Sequence, residues 1–374
     1  MLHSFKKSLP ILSLVLFLVA CSEKDKAPLD IPNAYDGSSF SANVTTEDAI
    51  RSQLEALVAE AKKGRTAGVV LDYSTLSQLF NAYSPSLKTV STSYYADRLD
   101  GAGNWLDEMA KASGTAYTPG IPTGQGGVLN GYLFDENGLE YEQLLEKGLF
   151  GAALYNHAVS LMKGSMTPAT ADQLVRIFGA HPDFPNTPTS ANAANPDKFM
   201  ANYAARRDNN DGTGLYFQMK NAFIKLQTAL NAGDGYNQER DEALLALRQT
   251  WEKVNAGTMI NYCHSVISTL SATNPTDAQK GSALHAYGEC VGFIHGWRTI
   301  PQDYKIITDA EIDELLVLFN APSGSVPTSY KFAIDPLNEL PKLTQVISKL
   351  KAKYSFSDQE VEDFRNNWVA VQGR

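Results

Sequence analysis

An all-α chain is predicted, a helical bundle or two packed bundles carrying long Gly/Pro-rich loops, and three observations predict it. Apolar residues recur at helical spacing from Thr46 onward, capping signals mark several helix starts, and a single short run, Gly68-Val69-Val70-Leu71, reads as a strand without a partner. The first helix spans 46–63. Ile50, Leu54, Leu57, Val58 and Ala61 form its apolar stripe, Asp48, Arg51, Glu55 and Lys62 lie off it, and Gly64 ends it. Helices follow over 73–83, 87–112, 139–163, 167–178, 196–207, 214–232, 237–271, 276–299, 308–319, 336–350 and 357–369. Thr276 with Gln279, Thr308 with Glu311 and Ser357 with Glu360 have capping-box spacing, in which each side chain satisfies the other residue's backbone N–H. Two irregular stretches, 114–138 and 179–196, are rich in Gly, Pro, Asn, Ser and Thr; loops of this length are insertions or functional segments. No solenoid repeat is visible.

Ahead of the helices, Lys6-Lys7, an apolar run from Ile11 and the sequence Leu18-Val19-Ala20-Cys21 resemble a bacterial lipoprotein signal peptide with its lipobox. The apolar run is shorter than the roughly 20 residues a spanning helix needs. The resemblance implies removal of residues 1–20 and lipidation of Cys21. Residues 21–43 carry Glu23, Lys24, Asp25, Lys26, Pro28, Pro32 and Gly37 and read as a flexible tether. The helical domain is then 44–374, dividing near 180–213 if there are two bundles. Ser22 after the cysteine resembles Gram-negative lipoproteins forwarded to the outer membrane, on its periplasmic face or at the cell surface.

Formal net charge is -9, and it becomes more negative once Lys6 and Lys7 are removed. With no basic run beyond residue 26, nucleic acid is excluded as a partner. His-Glu-x-x-His, Gly-x-Ser-x-Gly, a phosphate-binding glycine loop and Cys-x-x-Cys are all missing, so a stand-alone enzyme is the weaker reading. Cys263 and Cys290 lie on what would be an antiparallel hairpin turning near Asn274-Pro275. Counting along it offsets them by roughly 7 to 8 Å at 1.5 Å per residue, so both are expected as buried free thiols. The run Arg207-Asp208-Asn209-Asn210-Asp211-Gly212 looks like a calcium loop, but Arg207 and Gln218 fall where ligands belong, and it reads as a polar turn opening the next helix.

Chemistry concentrates in 282–298. Gly288, Gly292 and Gly296 recur every four residues and bare one side of a helix, at a cost of roughly 1 kcal/mol each relative to Ala, which points to close packing of another helix. His285 and Glu289 flank that stripe. On the helix 139–163, Glu142, Glu146 and His157 share one face at spacings of 4 and 11, and Gly148 and Ala152 offer a complementary small-residue stripe. His157, Glu146, His285 and Glu289 are therefore the candidate metal ligands, with His264 in reserve; imidazole with carboxylate suits iron or zinc better than calcium. The competing reading is a structural polar cluster.

Lipobox, all-α body, glycine-punctuated helices and the His285-x-x-x-Glu289 helix together resemble the imelysin-like envelope proteins over about residues 40–370. The resemblance implies two helical bundles, an envelope location and a link to iron or haem acquisition. The family's Gly-x-His-x-x-Glu run has no counterpart here, so architecture and envelope role are what it implies. A binding component in nutrient uptake, with iron or haem as cargo, is the expected function. The rival expectations are a glycan-binding outer-membrane lipoprotein that partners a TonB-dependent transporter, and a scaffold with no ligand. For glycan binding, Tyr94, Tyr95, Trp105 and Tyr117 would form an exposed aromatic platform.

Overall fold

The computed structural model describes residues 26–374, and within them the chain is all-α apart from one small hairpin. The expected signal peptide and Cys21 lie outside the described residues. Helices α1 (Phe40–Asn43), α2 (Thr45–Lys62), α3 (Tyr73–Asn81), α4 (Leu87–Val90), α5 (Ser93–Leu99) and α6 (Trp105–Ala112) precede the hairpin β1 (Gly127–Leu129) and β2 (Tyr132–Phe134). After it come α7 (Tyr141–Leu149), α8 (Asn156–Lys163), α9 (Pro168–Phe178), α10 (Phe199–Arg207), α11 (Leu215–Ala232) and α12 (Asn237–Leu270). The chain closes with α13 (Asp277–His295), α14 (Asp309–Leu318), α15 (Lys331–Ile334), α16 (Pro336–Tyr354), α17 (Asp358–Asp363) and α18 (Trp368–Gln372).

The axis of the molecule is α12, 34 residues long and so about 50 Å from end to end. It packs against α10, α11, α13 and α16; residues 250–260 are almost all buried, while the turns on either side keep exposed positions such as Leu245 and Ser265. Where the helix is enclosed on every side it loses the single apolar stripe of a surface helix. By contrast α2 keeps its stripe: Ile50, Leu54 and Leu57 are fully buried, each contributing roughly 1.5–3 kcal/mol. The main apolar core runs from Tyr35 to Val369 and includes α10, and a smaller cluster of Tyr117, Phe134, Leu284 and Ala333 lies apart from it. All three capping boxes form, at Thr276, Thr308 and Ser357. Among the described residues no helix is long and apolar enough to cross a membrane.

Three local expectations are corrected. Gly68–Leu71 is not a strand. The hairpin lies instead inside the Gly-rich stretch, where Asn130-Gly131 forms the two-residue turn between Val128-Leu129 and Tyr132-Leu133. The helix expected over 87–112 is three short ones, broken at Ser91-Thr92 and at Gly101–Asn104. The tether expected over 21–43 is fastened to the body from Lys26 on. Lys26 pairs with Glu239 at 2.6 Å and sits 3.9 Å over the Tyr236 ring. Tyr35 is buried with its hydroxyl donating to Asp172 at 2.6 Å, and Phe40 is buried on α1. These two aromatics, set in polar sequence, are what holds the segment down.

The remaining loop signals resolve as polar turns. Asp208 Oδ2 accepts from the backbone N–H groups of Tyr216 (2.9 Å) and Phe217 (3.2 Å), so the calcium-like carboxylate caps α11. Cys263 and Cys290 are buried and unbridged, yet their Sγ atoms are 3.9 Å apart, closer than an offset counted along the hairpin allows.

Candidate functional site

Helix α7 organises the site because its two faces meet different neighbours. One face meets α13 across bare backbone. A Cβ on Gly292 would stand 2.4 Å from the Gln143 carbonyl oxygen, one on Gly296 2.2 Å from that of Gly148, and one on Gly288 3.3 Å from Glu140 Cβ. At Gly292 and Gly296 only glycine allows this approach. Gly148 is used twice, since Tyr95 crosses it from the other side to donate to the Leu144 carbonyl at 2.6 Å.

The close crossing buries a seam of charge between α2, α7 and α13. Arg65, just past α2, donates to Glu140 at 2.9 Å and also bonds Glu142. Glu140 in turn meets His285 Nδ1 at 2.7 Å, and the imidazole stacks on Tyr132 at 4.1 Å. Lys62 and Lys147 each lie 3.0 Å from Glu146, and Lys147 reaches Glu289 at 3.4 Å. Gln143 donates to Glu142 at 2.6 Å, while Gln143 Oε1 and Glu142 Oε1 are buried without a hydrogen-bond partner. Three cations (Lys62, Arg65, Lys147) thus face four carboxylates (Glu140, Glu142, Glu146, Glu289).

Electrostatics assign the unmatched proton. Burial, then the charges of Glu146 and Glu140, push Glu142 up to about 8. Burial also opposes ionisation of Glu146, but Lys147 and Lys62 more than offset it and hold that carboxyl low. For Lys147 the same burial is outweighed by Glu146 and Glu289, which keep the ammonium charged. Glu142 is therefore the protonated member at neutral pH, and the seam is then charge-balanced.

The four candidate ligands do not converge. Glu146 and Glu289 share Lys147, and His285 joins the same seam through Glu140. His157 leaves it, bonding Glu47 on α2 at 2.9 Å. The reason is a π-helical turn over Phe150–Tyr155 between α7 and α8. Eleven residues return an α-helix to nearly the same face, but a wider turn inside the interval rotates His157 away from Glu146. Gly151 within that turn meets the Gly296 carbonyl. His264 is not in the seam, and burial lowers its pKa. Among the described residues no group of three or more His, Cys, Asp or Glu side chains is arranged to hold a metal ion. Sequence reading missed Arg65, Glu140 and Lys147; the adjacent carboxylates at 140, 142 and 146 were the visible signal.

The seam meets solvent at partly exposed Arg65 and His285 and, at its other end, in a cleft. This cleft of about 260 Å³ between α2, α7 and α10 is lined by Leu54, Val58, Phe150 and Phe199 and ends on Lys62 and Glu146. Of the four aromatics expected as a glycan platform, Tyr95 and Tyr117 are buried and the other two half-buried: Tyr94 lies between Arg98 and Arg298, and Trp105 packs edge-on against His295 at 5.1 Å. They offer no exposed ledge.

Residues 178–357 match a family model described as "Domain of unknown function (DUF4856)". The match takes in α12, α13, the glycine stripe, His285 and Glu289, but not α2 or α7, which supply the rest of the seam. It speaks neither for nor against kinship with the imelysin-like proteins. No curated protein and no solved structure matches the chain.

Proposed function

We propose that this chain is an envelope lipoprotein, anchored in the outer membrane through Cys21, that acts as a binding component in nutrient uptake and hands cargo to a TonB-dependent transporter. Iron or haem is the favoured cargo, and the carboxylate seam is where it is taken. The observation that carries this reading is the cleft ending on Glu146 and Lys62, which opens a largely buried carboxylate network to solvent. Carboxylate oxygens are hard donors suited to a hard cation. Lys62 and Lys147 both lie 3.0 Å from Glu146 Oε2; a ferric ion entering the cleft replaces the Lys62 contact. The cleft, at about 260 Å³, is smaller than the roughly 300–1,000 Å³ of pockets for drug-sized ligands. Ferric ion in a small complex therefore fits better than haem.

The test is iron retention by the mature protein after exposure to ferric nitrilotriacetate or haemin and desalting, beside Glu146→Gln. The expected result is about one iron per chain from the ferric complex, reduced at least tenfold in the variant. Equal retention by both proteins, or none by either, would remove the seam as a cargo site.

A further inference from the structure

A second cavity lies across α7 from the seam, between α5, α6, the C-terminal end of α13 and the 319–327 loop. We propose that it is a binding site for a small monocarboxylate, held by Arg98 against His295 and walled by Trp105 and Tyr141. Its volume is about 80 Å³, against roughly 30 Å³ for one water in the liquid, so the ligand has only a few heavy atoms. No acidic side chain lines the cavity, and Arg98 is its one charged wall. The nearest acid on the α14 side, Asp313, is occupied by Arg298 at 3.0 and 3.1 Å and by Ser323 at 3.1 Å. On the α7 side Asp135 accepts from the Tyr141 hydroxyl at 3.3 Å.

Two polar groups here are left without partners. His295 is 3 % exposed and its Nδ1 is buried with no hydrogen bond. Arg98 spends Nη2 on the Ser323 carbonyl at 2.9 Å, while its Nε is buried and unpartnered. Unpaired buried donors and acceptors are costly, and each such group in a native protein calls for a cause. His295 Nδ1 and Arg98 Nε are both closed to solvent, so a carboxylate would reach them only as the wall gives, while the Arg98 guanidinium lining the cavity supplies the matching charge. One ionised cation matches a monoanion better than a dianion, because burial, with Arg98 and Arg298 nearby, keeps His295 neutral. Leu139, Leu144, Val291 and Pro322 leave room only for a short apolar tail.

Calorimetry and saturation-transfer NMR with acetate and propionate at constant ionic strength test the site, with phosphate and methylammonium as comparators and circular dichroism to verify folding. The expected result is saturable binding of at least one acid to the wild type, weakened at least tenfold in Arg98→Gln and also weakened in His295→Phe, with no binding of either comparator. Failure of both acids to bind, equal binding of phosphate or methylammonium, or unchanged affinity in folded Arg98→Gln would overturn the proposal. If Arg98→Gln does not fold, His295→Phe decides it, and unchanged affinity there overturns it.

Discussion

The two sides of α7 bury ionisable groups by opposite means. Toward α2 and α13 the charges are kept and matched, with Lys147 between Glu146 and Glu289, and Arg65 between Glu140 and Glu142. Toward α5 and α6 the charge is given up: His295, enclosed by Tyr94, Tyr95 and Trp105, is held neutral, its pKa pushed down to about 3 by burial and then by Arg98 and Arg298. Low-dielectric surroundings penalise an unpaired charge so strongly that only pairing or neutralisation survives. Which of the two occurs depends on whether oppositely charged side chains reach the spot. At the seam three helices bring both signs together, whereas around His295 the cations Arg98 and Arg298 outweigh the one nearby acid, Asp313.

The comparison breaks most severely if a matched charge is deleted. Lys147→Met leaves Glu146 and Glu289 buried beside a thioether, and about 3–5 kcal/mol of stability should be lost in urea denaturation. A loss below about 1 kcal/mol would mean that the seam is hydrated rather than buried. Next in size is the crossing that both regions share. Gly296→Ala places a methyl 2.2 Å from the Gly148 carbonyl oxygen, and separating the helices should cost about 1–3 kcal/mol. Gly324→Ala, where an added Cβ meets nothing within 4 Å, serves as the control and should be close to neutral.

Proton linkage sharpens the contrast, since the two regions should respond to pH with opposite signs. Glu142 has a folded pKa raised from 4.5 to about 8, so the folded state holds the proton longer and its contribution is fully present below 4.5. Stability of the wild type relative to Glu142→Gln should therefore fall as pH rises from about 4.5 to 8. His295 has its folded pKa lowered from 6.5 to about 3, so the unfolded state takes the proton first. Stability relative to His295→Phe should be complete above 6.5 and decline as pH falls toward 3. Denaturation midpoints across pH 3–9 for the three proteins check both slopes. The smallest effect is expected at the exposed pair Lys351–Asp358, where Asp358→Asn should change stability by less than about 1 kcal/mol.

The helices were legible because periodicity and capping are local. The Ile50–Ala61 stripe, the three capping boxes and the Gly288–Gly296 stripe each need only one segment to be read. Partners were not legible in the same way. Glu140 meets His285 145 residues away and Glu47 meets His157 110 residues away, and no local pattern encodes which faces come together. His157 was misplaced for a further reason: the π turn changes the rotation per residue within Phe150–Tyr155, where the apolar pattern gives no sign of it. The hairpin was legible in Asn130-Gly131 and was masked by the glycines around it. Tyr35 and Phe40, with the Lys26–Glu239 pair and the Asp36–Gln227 hydrogen bonds, order a segment whose composition reads as a tether.

The central claim, that the seam takes a hard cation through the cleft at Glu146, is tested most directly by anomalous diffraction at the iron edge. Crystals of the mature protein would be soaked in ferric nitrilotriacetate, beside crystals of Glu146→Gln treated alike. The account expects one anomalous peak within bonding distance of the Glu146 carboxylate, with Lys62 displaced from it, and no such peak in the variant. An intact Lys62–Glu146 pair with iron absent from the seam, or a peak that persists in Glu146→Gln, would contradict it.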